Sequence, residues 1–336
     1  MDNYIPKLPK KVLVENGAID SVKAFCSDFG KEFLVVADEI TKNLGAEKIA
    51  SELNSPIIVI KDSTMGEVKR VEEIKSDCII SFGGGKVIDV GKLAAHNKKI
   101  PFISFPTSCS HDGIASMNAS IWENGEYRSF PATGPSGIIA DIEIISKSPY
   151  RIIASGSADL ISNYCSVFDW KLASLKNGEK YSEPIALLAL SAAELVSNSQ
   201  EEIKKMSESG IRNLIWGLIF SGFSMTLHGS SRPASGAEHM FSHALDKLGK
   251  FGLHGEQVGI GSIFFSYLQG QDWMKIKTVL ENLGAPIKLS QIGVSQDIFI
   301  EAVLKAKDVR KRYTVLDEKR LDRKSIIEIS KSVSII

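Results

Sequence analysis

Short β-branched and aromatic runs alternate with amphipathic stretches through the first part of the chain. KVLVENG, EFLVVADE, PIIVI, DCIISFGGG and IPFISFPTS read as strands. Between them AIDSVKAFCSDFG (ending at Gly30), ITKNLGAEKIASELN, GEVKRVEEIKS and KVIDVGKLAAHNKK read as helices. Strand–helix units in series predict a parallel, doubly wound sheet, which takes ligands at the carboxyl ends of its strands. ASIWENGEYRSF predicts a hairpin turning at Asn124-Gly125, and GIIADIEII one last strand. After Pro149 the period becomes helical. YRIIASGSADLISNYCSVFDWKLASLKNG reads as one long helix, and EPIALLALSAAELVSNS, SESGIRNLIWGLIFSGFSMTL, QDIFIEAVLKAKDV and KSIIEISKSV as later ones. The expectation is an α/β domain over residues 1–148 and an all-α domain over 149–336, with the active site in the cleft between them.

Composition narrows the function. A chain of 336 residues can bury two substantial cores. Its 40 Lys+Arg balance 40 Asp+Glu, which argues against a nucleic-acid or membrane-surface binder. No uncharged apolar run is long enough to cross a bilayer, and MDNYIPKLPKKVLVENG lacks the apolar core of a secretory leader. Cys26, Cys78, Cys109 and Cys165 are widely spaced without a CxxC, so they read as buried thiols in a reducing cytosol. The apolar helices of the second half predict self-association.

The densest chemistry lies in RPASGAEHMFSHALDKLGKFGLHGEQVG, residues 232–259. His239 and His243 are four residues apart, on one face of a helix, and His254 follows a Lys/Gly-rich break. Two imidazoles brought together by a helix–turn–helix make half of a divalent-metal site; ordinary surface or core histidines are the competing account. Gly236, Gly252 and Gly255 would allow close backbone approach nearby. Asp159, early in an apolar helix, is the candidate third ligand, with Asn163 one turn on; a helix-dipole role is its alternative. In the first half, Gly83-Gly84-Gly85-Lys86 is a strand-to-helix turn suited to a pyrophosphate, or merely a tight packing turn. Asp38, at the end of VVAD, could accept from an adenosine ribose hydroxyl or cap a helix. Thr107, Ser108 and Ser110 also follow a strand, and His111 and Asp112 flank a glycine.

Together FGGGKVIDVGK, FPTSCSHDGIAS, SGSADLISNY, SRPASGAEHMFSHALD and LHGEQVG resemble the archaeal sn-glycerol-1-phosphate dehydrogenases. That family is grouped with glycerol dehydrogenase, iron-type alcohol dehydrogenases and dehydroquinate synthase. The likeness runs from about residue 10 to about residue 320, with the phrases in family order. It implies an N-terminal Rossmann-like domain binding NAD or NADP and a helical C-terminal domain. The implied reaction is reversible reduction of dihydroxyacetone phosphate to sn-glycerol 1-phosphate, the backbone of archaeal ether lipids. It implies one zinc ion per subunit on Asp159, His239 and His254. By the same likeness Gly84, Gly85, Lys86, Val87, Ile88, Asp89, Thr107, Ser108, Cys109, Ser110 and Ser116 line the cofactor. Asp112, Asp159 and His243 face the substrate. Cys109 replaces an aliphatic residue expected in the PTSxSHDG phrase, a change without chemical consequence if backbone and neighbouring hydroxyls make the contacts.

The implied chemistry gives the parts roles. A metal on Asp159, His239 and His254 would polarise the ketone oxygen, and His243 would take part in the proton relay the alkoxide requires. Asp159 and His243 are therefore the candidate catalytic residues. Arg232, beside Ser230 and Ser231, is a candidate for the substrate phosphate, equally a structural arginine tying the loop down. Asp38 leans towards NAD, while Thr41 and Lys42 could receive a 2′-phosphate. Zinc, iron and nickel all suit the donors. Glycerol dehydrogenase, a dehydroquinate synthase-like lyase and a non-catalytic binding protein are the rival readings.

Overall fold

The computed structural model describes residues 6–123 and 125–336. Asn124, expected in the hairpin turn, and Met1 to Ile5 of the amino terminus lie outside the described residues. The chain divides into two compact units, one ending at Pro149 and one running from Tyr150 to Ile336.

The first unit is built on a six-stranded sheet. Its strands are β1 (Lys11–Glu15), β2 (Phe33–Ala37), β3 (Ile57–Val59), β4 (Cys78–Gly83), β5 (Phe102–Pro106) and β8 (Gly137–Asp141), in the order β1-β8-β5-β4-β2-β3. Every pairing is parallel. The hairpin β6 (Asn118–Glu123) and β7 (Glu126–Pro131) forms a separate two-stranded sheet. Along β2 the side chains alternate between two cores: Phe33, Val35 and Ala37 join one, Leu34 and Val36 the other. Burial on both faces explains the unbroken apolar runs in the sequence. Helices α1 (Val22–Cys26), α2 (Glu47–Leu53), α3 (Met65–Glu72) and α4 (Gly85–Lys98) lie in the connections. From β2 the chain crosses to β3 at one edge; from β4 it crosses to β5 in the opposite direction. The carboxyl ends of β2 and β4 thus flank the switch point, where such sheets place ligands.

The second unit is helical: α5 (Tyr150–Ile161), α6 (Asn163–Asn177), α7 (Glu183–Asn198), α8 (Glu208–His228), α9 (Ala237–Asp246), α10 (His254–Leu268), α11 (Trp273–Asn282), α12 (Gln296–Val309) and α13 (Arg323–Ser332). α10 packs on α5, α9 on α12, and α8 on α7. Among the described residues no helix is long and apolar enough to cross a membrane. The four cysteines are free and buried.

Three elements differ from the sequence reading. The stretch expected as one helix over 150–178 breaks at Ser162, whose hydroxyl donates to the Asp159 carbonyl at 2.6 Å. GIIADIEII is strand only to Asp141, whose carboxylate accepts from the amides of Glu143 and Ile144 at 3.0 and 3.2 Å and starts a short helix, Ile142–Ser146. ITKNLGAEKIASELN is interrupted by a wide turn over Lys42–Ala46 before α2 begins.

Candidate functional site

Three helices of the second unit bring Asp159, His239 and His254 together. Asp159 lies on α5, His239 in the first turn of α9, and His254 opens α10. Nε2 of His239 and Nε2 of His254 stand 3.6 and 3.7 Å from the same oxygen, Oδ1 of Asp159. One ligand atom from each residue lies within 4.8 Å of the other two. These separations are too long for hydrogen bonds. They approach the roughly 3.3–3.5 Å edges of a tetrahedron with bonds of about 2.0–2.2 Å, so one carboxylate and two imidazoles fit a divalent cation with a position to spare. Gly255 permits the arrangement: a Cβ there would stand 1.9 Å from the Ser155 carbonyl oxygen, so only glycine lets the start of α10 press onto α5.

Each imidazole is held from behind. His239 donates through Nδ1 to Oε1 of Glu238 at 2.8 Å, which leaves Nε2 free of its proton for a cation. His254 donates through Nδ1 to Oγ of Ser242 at 3.2 Å, and that hydroxyl donates onward to Oε1 of Gln257 at 2.5 Å. Without a metal, burial opposes protonation of His239, but the neighbouring carboxylates of Asp159 and Glu238 outweigh it and push the imidazole up to about 9. Glu256 anchors the end of α10 by accepting from the Leu253 amide at 2.7 Å and gripping Arg151 with both oxygens at 2.6 and 2.8 Å.

Behind Glu238 lies a second buried acid. Asp169 accepts from the Ala237 amide through Oδ2, and from the Val315 amide and the Gln269 side chain through Oδ1. Burial, and then the charge of Glu238, push its carboxyl up to about 7. Oε2 of Glu238 is buried with no hydrogen-bond partner. It and Oδ2 of Asp169 would each lie 2.8 Å from a Cβ at Gly236, so only glycine fits beside the two acids.

The remaining predicted residues of this unit separate. His243 is one turn beyond His239, with its ring centre 6.1 Å from that of His254, beside the cluster rather than within it. Burial, then the positive charges of His254, His239, Arg310 and Arg312, hold its imidazole well below the usual histidine range, so it is neutral at physiological pH. Asn163 is turned away: its amide donates to the Ala189 carbonyl and Oγ of Ser221. Arg232 has the partners of an arginine that ties its loop down, the alternative to a phosphate contact. Its fork is closed on Glu179 at 2.8 Å through both arms, and Nη2 also donates to the Tyr313 carbonyl at 2.6 Å. It is 1% exposed, with its charge met by Glu179 and its Nη1 buried without a hydrogen-bond partner.

In the first unit the glycine turn forms a cradle of backbone. β4 ends at Gly83, Gly84 caps α4, and the amides of Gly85 and Lys86 open the helix, where no helical carbonyl precedes them. A Cβ at Gly85 would stand 2.3 Å from Nε2 of His111, and one at Gly84 3.3 Å from Oγ of Ser108. His111 accepts the Gly113 amide through Nδ1 at 3.0 Å, so its proton sits on Nε2, facing the turn. Backbone donors, a helix start and a hydroxyl converging on glycine fit a pyrophosphate.

Several side chains assigned to this cradle face elsewhere. Val87 and Ile88 are core residues, and Cys109 is fully buried in the aliphatic place its phrase calls for. Asp89 receives Nζ of Lys92 at 3.3 Å and the Ser120 amide at 3.1 Å, pinning α4 to the hairpin. Thr107 donates its amide to the Gly83 carbonyl, Asp112 opens the short turn over Asp112–Ile114, and the Ser116 amide donates to the Asp112 carbonyl. Ser110, like Ser108, is half-buried. Asp38 is the helix cap: Oδ1 accepts the Thr41 amide at 2.9 Å, Oδ2 pairs with Lys86 at 3.1 Å, and the Thr41 hydroxyl is spent in the same cap. Burial opposes ionisation of Asp38, but Thr41 and Lys86 prevail and hold it below the usual carboxylate range.

Sequence reasoning missed Glu238, Ser242, Gln257 and Asp169, which support the histidines, and the arginines at 310 and 312. Glu238 adjoins His239 in the chain, the one local hint. The others act across long separations that no spacing encodes.

Residues 13–149 match the family model described as iron-containing alcohol dehydrogenase. The chain is 42% identical to the glycerol-1-phosphate dehydrogenase [NAD(P)+] of Pyrococcus furiosus over 345 residues, covering 99% of this chain and 100% of that protein. It is 41% identical to the Pyrococcus abyssi protein of the same name, with the same coverage. Among solved structures, glycerol dehydrogenase from Schizosaccharomyces pombe superposes with a TM-score of 0.83 over 99% of this chain and 91% of that one, at 20% identity, a likeness of fold. The identity to full-length relatives, carried over nearly every residue, means that this chain belongs to the glycerol-1-phosphate dehydrogenase family.

Proposed function

We propose that this protein reversibly reduces dihydroxyacetone phosphate to sn-glycerol 1-phosphate with NADH or NADPH, using one zinc ion per subunit. The observation that carries the reading is the convergence of Asp159, His239 and His254 on one point, in a chain similar along its whole length to enzymes of that name. Bound there, the zinc ion supplies Lewis-acid polarisation of the ketone oxygen and the dinucleotide supplies the hydride.

The chain's own residues do the rest. Asp159 contributes a single negative charge against two neutral imidazoles, which leaves the site receptive to negative charge growing on the substrate oxygen. Glu238 and Ser242 fix both rings with Nε2 forward. His243, kept neutral by burial and its cationic neighbours, holds a proton it can pass on. The amides of Gly85 and Lys86, with Ser108, cradle the pyrophosphate, and Thr107, Ser110 and Ser116 border it. Asp38 stays in this reading as a ribose acceptor only through oxygens already engaged by Thr41 and Lys86. Asp112 is assigned to the substrate by family likeness alone. The product would serve as the glycerophosphate backbone of archaeal ether lipids, made in the cytosol. Self-association through the helical unit, where Leu175 and Leu187 are exposed, belongs to the same reading and is checked by light scattering.

The test follows NADH and NADPH oxidation by zinc-loaded protein with dihydroxyacetone phosphate, then with free dihydroxyacetone. Preference for the phosphate, loss on chelation and an sn-1 product are expected. Turnover of the free ketone alone would transfer the chain to glycerol dehydrogenation. No oxidation of either cofactor by metal-loaded protein would refute the reaction.

A further inference from the structure

Two guanidiniums lie together beside the loop that leads into α9, neither in direct contact with a carboxylate. Nη1 of Arg310 and Nη2 of Arg312 both donate to Oγ of Ser231 at 3.0 Å, and Nη1 of Arg312 donates to the Ser235 carbonyl. Among the described residues neither forms an ion pair, whereas Arg70, Arg128, Arg151, Arg212, Arg232 and Arg323 each do. The other arginine without one, Arg320, is exposed, while Arg310 and Arg312 are half-buried. Burial pushes Arg310 down; burial with the charges of Arg310 and Arg232 pushes Arg312 down to about 9, against the weaker pull of Glu179 and Glu238. Withdrawing two cations from water without a direct ion pair is costly, and the cost falls when an anion arrives between them.

Their position says which anion. Arg312 holds the carbonyl of Ser235, in the turn that opens α9 just ahead of His239. Arg232 neutralises itself on Glu179 and also holds the carbonyl of Tyr313, the residue after Arg312, so it fixes the segment that carries the pair. We propose that Arg310 and Arg312, together with the Ser231 hydroxyl, form an anion subsite that takes the phosphate monoester of the substrate. Two guanidinium forks match a phosphate dianion in charge and geometry, and the serine oxygen they now share holds the place of an anionic oxygen. The inference rests on the proposed reaction for the identity of the ligand, but not for the existence of the subsite.

The experiment compares wild type with Arg310→Gln, at a residue that hydrogen-bonds to Ser231, and with Arg310→Lys, which keeps the charge. The first readout is the ratio of kcat/KM for dihydroxyacetone phosphate to that for free dihydroxyacetone. It should fall roughly 10- to 100-fold in Arg310→Gln and recover in part in Arg310→Lys. The second is binding of inorganic phosphate to the metal-loaded protein by calorimetry, which should weaken in step. An unchanged ratio with unchanged phosphate binding would overturn the proposal, as would a wild type that binds no phosphate. If wild type reduces neither ketone but binds phosphate, and Arg310→Gln does not, the reaction is wrong and the anion subsite stands.

Discussion

On the proposed reading, the glycine turn after β4 and the histidine cluster of α5, α9 and α10 solve the problem of a binding site in opposite ways. At the turn the donors are backbone amides and a helix start. The nearby side chains are therefore free for structural work: Val87 and Ile88 in the core, Asp89 on Lys92 and Ser120, Asp38 in a cap. At the cluster the side chains themselves are the donors, so each needs a second group to aim it: Glu238 for His239, and Ser242 with Gln257 for His254. A backbone site is specified by what is absent, a Cβ, and a side-chain site by what stands behind it. The two should fail differently.

The largest effect belongs to the cluster. Asp159→Ala removes the oxygen towards which both imidazoles point, so the purified protein should carry no metal while still binding NADH. Metal retained at one equivalent would break the ligand assignment. Glu238→Gln, which leaves all three ligands in place, should weaken metal binding about 10- to 100-fold in a chelator competition, with NADH affinity untouched. Unchanged metal affinity would mean that the ring behind is not positioned by this carboxylate. At the turn, Gly85→Ala drives a methyl into His111 and should weaken NADH binding roughly 10-fold, with metal content at wild-type level. Equal loss of both ligands in either variant would erase the distinction drawn here.

Two smaller effects sharpen it. Asp169 is raised in the fold, so its contribution to stability is complete below the unfolded value near 4 and drains away as pH rises through about 7. The unfolding free energy should fall with pH across that window, by at most about 1.4 kcal/mol per pH unit from this group, and Asp169→Asn should flatten the slope. An unaltered slope in that variant would assign the proton elsewhere. Asp38→Ala should cost about 1 kcal/mol of stability through the lost cap and change NADH affinity little. A large affinity loss without destabilisation would instead support the ribose role.

The same contrast explains what could be read from the chain alone. β2, β4, β5 and β8 were legible because burial on both faces forces continuous β-branched and aromatic runs. The histidine segment was legible because three imidazoles within one short stretch are chemically conspicuous. The break at Ser162 was not, since it turns on one hydroxyl choosing the Asp159 carbonyl. Neither was the short helix after Asp141, which owes its start to that residue's cap. The pairing of Arg232 with Glu179 could not be read because the two lie 53 residues apart in sequence. Arg310 and Arg312 reach Ser231 across 79 and 81 residues, and a short basic stretch at the end of an amphipathic helix ordinarily means solvent.

The buried cysteines have a practical consequence. Burial pushes the Cys26 thiol up to about 12, and those of Cys78, Cys109 and Cys165 higher still. A thiol that is neither ionised nor accessible does not react with a disulfide reagent, so modification must wait for the surrounding structure to open. Cys26, Cys78 and Cys109 belong to the first unit and Cys165 to the second. The chain thus carries its own pair of clocks, and the rate at which each thiol is trapped times the opening of the unit that encloses it.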